Sequence, residues 1–264
     1  MDFLDAAVEA ARLGGLKLEE WGEKFTAREK SPSNLVTEAD LASQKAIFDY
    51  LHGLYPGHRF LGEEGLLLEE GDSPYRWIID PLDGTSNYVH RFPYYAVSIG
   101  LEKEGRMLAG VVFDPNRNEV FAAQAGKGAT LNGNPIQVSE TTSLNQAMCM
   151  ASLPVKLNRD HPALKKFVRI LERAQTVQRT GSAALNLCAV ASGRIEAFWS
   201  TSLQPWDMAA GVLIVQEAGG RVTTTTDQQP FSVMVPDLLA SNGQPLHQEL
   251  IEEFRLEETS SARG

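Results

Sequence analysis

The run Trp77-Ile78-Ile79-Asp80-Pro81-Leu82-Asp83-Gly84-Thr85-Ser86-Asn87 joins a short apolar stretch to a polar turn with no spacer. Successive bulky apolar residues predict a strand, and Asp-Pro followed by Asp-Gly ends it in a tight turn. Two carboxylates are thereby set at one strand end, where Gly84 lets the backbone come close to a ligand. Acids so placed can share a hard cation. The N–H groups of Gly84 and Thr85, if they open a helical turn, add an anion site beside it. That pairing suits a metal-bridged phosphate. Read alone, the same dipeptides are ordinary turn formers, and both readings stand at this point.

The rest of the chain supplies the frame. Leu4, Ala7, Val8 and Ala11 recur at helical spacing, as do Ile47, Phe48, Leu51 and Leu54, so the first sixty or so residues read as two amphipathic helices joined by a polar loop over 27–34. Short β-rich runs follow at Trp77 to Ile79, Ala96 to Leu101, Leu108 to Phe113 and Val120 to Ala123. Turn signals at Glu104-Gly105, Asp114-Pro115-Asn116 and Asn132-Gly133 separate them, which predicts an antiparallel meander. Beyond Thr141 strands alternate with helices over 162–174, 182–191 and 207–218. Helices, then a meander, then αβ units predict an α/β fold of layered helices and sheets. No repeat or glycine-serine linker divides the chain, which reads as one unit of 264 residues with halves at about 1–140 and 141–256. Small polar residues over 257–264 read as a frayed tail.

Composition removes several classes of function. With 24 Lys plus Arg against 34 Asp plus Glu, the net charge of −10 repels nucleic acid and anionic membranes, so neither is an expected partner. A phosphate-bearing ligand then needs a local positive device. Cys149 and Cys188 are isolated thiols without a CxxC pattern, which excludes a zinc knuckle and suits a reducing, cytoplasmic compartment. The acidic start Met1-Asp2-Phe3-Leu4-Asp5 is not a targeting signal, and no apolar run approaches a membrane span.

Further acids change the weight of the first motif. Gly62-Glu63-Glu64-Gly65 follows the apolar Arg59-Phe60-Leu61, and Trp206-Asp207 opens the alanine-rich Met208-Ala209-Ala210-Gly211. Each alone is commonplace, the first as a solvated loop and the second as a helix cap. Together with the segment from Trp77 to Asn87, and with Glu217-Ala218-Gly219-Gly220 downstream, they resemble the signatures of the inositol monophosphatase family, magnesium-dependent and lithium-sensitive phosphatases. Leu35-Val36-Thr37 with Asp40, Gly126-Lys127-Gly128-Ala129 and Gly181-Ser182-Ala183-Ala184 extend the likeness over nearly the whole chain.

The resemblance implies an αβαβα sandwich of the inositol monophosphatase and fructose bisphosphatase type, a homodimer, and two or three Mg²⁺ ions per site. It assigns the first ion to Glu63, Asp80 and the Leu82 carbonyl, the second to Asp80, Asp83 and Asp207, and a weaker third to Glu63 and water. Thr85, oriented by Asp40, and Glu63 match the positions that hold and deprotonate the attacking water. Asp83, Gly84, Thr85 and Asp207 face the phosphorylated substrate. Gly181, Ser182 and Ala183 match the segment that touches the alcohol, although Gly181-Ser182 also reads as a plain helix N-cap.

The activity so implied is hydrolysis of a small phosphorylated alcohol resembling inositol 1-phosphate. Histidinol-phosphate phosphatase and fructose-1,6-bisphosphatase activities are the alternatives on the same fold, and a non-catalytic role with RNA or transcription partners is the alternative of another class. One departure bears on substrate choice: Ser200 stands seven residues before Asp207, where many inositol-specific relatives carry a glutamate that accepts hydrogen bonds from the substrate. The five histidines show no ligand spacing and read as surface or loop residues.

Overall fold

The computed structural model describes residues 2–31, 34–69 and 73–261. Helix α1 (Phe3–Trp21) buries Ala6, Ala7, Ala10, Ala11, Gly14, Gly15 and Leu18 along one stripe. Small residues there admit a close neighbour: a Cβ on Gly14 would lie 2.8 Å from Ile47 Cδ1. Between α1 and its neighbour the chain forms a hairpin, β1 (Arg28–Ser31) and β2 (Asn34–Val36), where the sequence reads as a polar loop. Arg-Glu-Lys-Ser carries no apolar alternation, so the pairing rests on backbone hydrogen bonds that periodicity does not report. Helix α2 (Glu38–Leu54) then starts at a capping box in which Thr37 and Asp40 satisfy each other's end groups.

The first sheet has eight strands. In chain order they are β3 (Arg59–Gly62), β4 (Leu67–Leu68), β5 (Tyr75–Asp83), β6 (Ala96–Lys103), β7 (Arg106–Asp114), β8 (Glu119–Gln124), β9 (Ala129–Leu131) and β10 (Asn134–Ile136), with the short helix α3 (Thr85–Val89) after β5. From β5 to β10 the sheet is the expected antiparallel meander, while β3 joins the far side of β5 in parallel.

A second sheet follows the order β12-β11-β13-β15-β14. Its elements are β11 (Met148–Ser152), α4 (Pro162–Leu171), β12 (Thr176–Gln178), α5 (Ala183–Ala191), β13 (Ala197–Ser200), α6 (Pro205–Glu217), β14 (Arg221–Thr223), β15 (Leu238–Ser241) and α7 (Leu246–Ser261). Helix α7 docks through Leu246, Leu250, Ile251 and Phe254. Residues 262–264 lie outside the described residues.

Strand parity assigns the layers. Trp77 and Ile79 face α1 and α2, whereas Ile78 between them faces α5 and α6. On the second sheet Phe198 faces the same two helices and Trp199 turns to the α7 side. All nine residues of α5 are buried, the pattern of a helix enclosed on every side. The outcome is helix, sheet, helix, sheet, helix, the αβαβα order. No helix among the described residues is long and apolar enough to cross a membrane.

Candidate active site

The end of β5 carries a bulge. Asp80 pairs with Ser98 and Asp83 with Ala96, so three steps along β5 match two along β6. A regular strand sends residues three apart to opposite faces; one extra residue cancels that parity and lets both carboxylates meet on one side. Pro81 lies inside the bulge, where its missing N–H leaves no gap in the ladder. Ser43 Oγ donates to its carbonyl at 2.9 Å, and the Leu82 N–H donates to Asp80 Oδ1 at 3.0 Å. Gly84 then turns the chain into α3 at φ +97°, and a Cβ there would sit 3.0 Å from the Tyr94 carbonyl oxygen. A side chain is excluded twice over, by conformation and by space.

Asp207 comes from the other half of the chain. Helix α6 lies so near the first sheet that a Cβ on Gly110 would be 2.7 Å from the Ala210 carbonyl oxygen, and Ser98 Oγ donates to the Trp206 carbonyl at 3.3 Å. Asp207 caps that helix, its Oδ2 accepting from the Gln204 N–H at 2.8 Å. Besides capping, Asp207 joins the other two acids: one carboxylate oxygen each from Asp80, Asp83 and Asp207 lie within 4.8 Å of one another. Asp83 is pinned by the start of α5, where its Oδ2 accepts from the Ser182 hydroxyl and from the Ala184 N–H at 2.8 Å.

Without a cation these acids repel one another and hold protons. Burial, and next the charge of Glu63, raise Asp80 well above the usual carboxylate range. Asp207 is pushed up to about 8 by burial and by Asp83. Asp83 rises only to about 6, since burial is opposed by the bonds from Ser182 and Ala184. Among the described residues no lysine or arginine forms an ion pair with any of the three. An all-oxygen, multiply acidic cluster of this kind fits a hard divalent cation such as Mg²⁺, whose charge would take the place of those protons.

The remaining expected residues fall around this cluster. Glu63 follows β3, with its N–H donating to the Ile79 carbonyl at 3.3 Å; it stands outside the three-aspartate group but close enough for its charge to act on Asp80. Asp40 is fully buried and accepts from Thr37 N–H at 2.9 Å, from Thr37 Oγ1 at 2.6 Å and from Thr85 Oγ1 at 3.3 Å. Thr85 Oγ1 also lies 3.2 Å from the Leu82 carbonyl oxygen. A cavity of about 570 Å³ opens over Asp83, Gly84, Thr85 and Asp207, with Gly181, Ala183 and Ser202 in its wall.

Two expected substrate contacts sit elsewhere. Ser182 is wholly buried and does not line the cavity; its hydroxyl serves Asp83 and accepts from the Leu185 N–H at 3.3 Å. Ser200 is 1% exposed at the end of β13, where its hydroxyl accepts from the Ser202 N–H at 3.3 Å, so Ser202 and Leu203 form the wall. Arg179, at the cavity rim, has no motif that would have singled it out. His247 corrects the surface reading of the histidines: it is buried between Thr223 Oγ1 at 3.0 Å and Ser241 Oγ at 2.8 Å, and burial pushes it down to about 4.

Comparison with known proteins agrees with this architecture. The sequence model of the inositol monophosphatase family matches residues 2–259. An inositol-1-monophosphatase of Caulobacter vibrioides is 38% identical over 257 residues, covering 96% of this chain and 99% of that protein. The Nus factor SuhB of Pseudomonas aeruginosa is 40% identical over 237 residues, covering 86% and 87%. Among solved structures, the extragenic suppressor protein suhB from Bartonella henselae superposes with a TM-score of 0.89 at 34% identity, over 95% of this chain and 97% of that one.

Proposed function

The chain belongs to the inositol monophosphatase family and is a phosphoric monoester hydrolase, and we propose that it cleaves a small phosphorylated alcohol with Mg²⁺ held by Glu63, Asp80, the Leu82 carbonyl, Asp83 and Asp207. The observation that carries this reading is the convergence of Asp80, Asp83 and Asp207, with no ion-paired lysine or arginine among the described residues, beside an open cavity that Asp83 and Asp207 line. Bound there, Mg²⁺ would neutralise phosphate charge and acidify a water.

The protein's own groups supply the alignment. Thr85 has one hydroxyl proton and two acceptors in reach, Asp40 Oδ1 and the Leu82 carbonyl oxygen. With the Leu82 carbonyl among the groups that would hold a cation, the Thr85 proton would be left to Asp40, and the Thr85 lone pairs would be free to receive a water hydrogen. Glu63 takes the proton that the attacking water gives up. The N–H groups of Gly84 and Thr85 hold phosphate oxygens in the turn that Gly84 makes possible. Asp83 and Asp207 face the departing alcohol.

A screen of phosphate release over small phosphomonoesters tests the proposal. Turnover is expected in Mg²⁺ and absent after chelation; full turnover in excess chelator overturns it. The relative named as a Nus factor supports a second reading, in which the chain also serves a transcription partner. Salt-dependent retention of RNA by an inactive variant would favour that role, against the net charge of −10. The homodimer and the cytoplasmic location remain part of the proposal, to be read from sedimentation and from cell fractionation.

A further inference from the structure

One face of α2 grips three separate pieces of the site. Asp40, Ser43 and Gln44, spaced i, i+3 and i+4, share that face. Asp40 reaches Thr85, and Ser43 reaches the Pro81 carbonyl inside the bulge. Gln44 does something different, because its amide meets a backbone with both ends. Its Oε1 accepts from the Glu64 N–H at 3.1 Å and its Nε2 donates to the Glu64 carbonyl at 3.2 Å. This is the donor–acceptor pair that a neighbouring strand would offer, supplied here by a side chain that is only 9% exposed.

Two backbone hydrogen bonds hold the same turn. Gly62 N–H donates to Leu66 at 2.8 Å and Glu63 N–H donates to Ile79 at 3.3 Å, the latter long for an amide bond. Beside them, a Cβ on Gly62 would fall 2.7 Å from Gln44 Oε1, so the residue before Glu63 is a glycine where the amide needs the room. We infer that Gln44 is a positioning residue: it clamps the backbone of Glu64 and so sets where the Glu63 carboxylate stands relative to Asp80. The inference rests on the reading of Glu63 as a cation ligand. Its specific content is that Gln44 acts on cation affinity through Glu63, with no contact of its own to cation or substrate.

The test is a calorimetric titration of the metal-stripped full chain with Mn²⁺, for wild type and for Gln44→Met, which keeps the side-chain length and removes both bonds. Disturbing a group that supports a ligand weakens metal binding by about 10–100-fold. Gln44→Met is therefore expected to weaken the tightest Mn²⁺ site at least about tenfold. The Mg²⁺ concentration for half-maximal phosphatase rate should rise in parallel, with kcat at saturating Mg²⁺ changing much less and the metal-free melting temperature little altered. A Gln44→Met titration matching wild type overturns the inference while leaving the phosphatase reading intact. Wild-type protein that takes up no Mn²⁺ overturns both. Amide exchange at Glu64 in metal-free wild type tests the clamp without any variant: the N–H should be protected, and free exchange there contradicts the inference.

Discussion

The Ser182 hydroxyl donates to Asp83 Oδ2 and thereby ties the first turn of α5 to the end of β5. With the Ala184 N–H on the same oxygen, that side of the carboxylate is fully engaged, and the other oxygen is the one left for a cation. Removing the hydroxyl should loosen this choice. Ser182→Ala forfeits a hydrogen bond to a charged acceptor, worth about 1.5–3 kcal/mol of stability. Because that bond is what holds Asp83 down, its carboxyl should climb further. Half-saturation by Mg²⁺ should then worsen more at about pH 6 than at about pH 8. Equal Mg²⁺ dependence of Ser182→Ala and wild type at both pH values would contradict this account.

Neutralising either flanking acid should separate catalysis from stability. Asp83→Asn and Asp207→Asn are each expected to lower kcat by about 10²-fold or more, the scale of losing one electrostatic element of a transition state. The metal-free protein should melt no lower in Asp207→Asn above about pH 8, since a carboxylate repelled by its neighbours has been removed. Rate loss below tenfold in both variants would mean that these aspartates lie outside the reaction.

The crowded acids also predict a pH dependence of folding. In the metal-free protein Asp83 titrates at about 6 and Asp207 at about 8, against about 3.9 for an unfolded aspartate. Between those values the folded chain binds more protons than the unfolded one, so the stabilising contribution is complete below about pH 4 and is lost as pH rises through about 6 and 8. Melting temperature without metal should decline across that window, Mg²⁺ should restore it most at the alkaline end, and Asp207→Asn should flatten the slope. A rising metal-free melting temperature over the same range would refute the assignment.

Ser200 invites a paired substitution. Its hydroxyl is used inside the wall by Ser202, so Ser200→Ala should leave substrate preference within about twofold despite losing a weak bond. Ser200→Glu brings a longer anionic acceptor that must emerge past Ser202 to reach the cavity. It should shift selectivity toward polyhydroxylated alcohols by about 1–3 kcal/mol, one to two orders of magnitude in relative kcat/KM. Strong selectivity for inositol monophosphate already present in wild type would remove the premise.

The β-meander and the helices around Asp207 could be read directly, because apolar alternation, Gly-containing turns and caps are local signals. Asp80 and Asp83 were recognisable as a pair, yet their convergence depends on a register shift against β6, which one strand's sequence does not display. Gln44 carries no sequence signal for a similar reason: a lone glutamine on a helix looks like a solvated residue until β3 and its turn are placed beside it. The pairing of β1 with β2 and the buried His247 were illegible because the one rests on backbone pairing and the other on bonds to two hydroxyls, neither of which leaves an apolar pattern. Ser182 and Ser200 do not line the cavity, because helix capping and strand parity turn their hydroxyls inward.

The enclosure of α5 between two sheets has a consequence for biosynthesis. A ribosome that has delivered only the first sheet has already made Asp40, Glu63, Asp80, Asp83 and Thr85, but neither the serine that seats Asp83 nor the last aspartate. On the proposed assignment, such a nascent chain would carry part of the cation site while lacking Asp207. On the proposed function, hydrolysis is expected only late in translation, once α5 and α6 have been made and packed against the first sheet. Cellular phosphate esters are spared from half-made copies, and activity measured on emerging chains should appear as a step rather than a ramp.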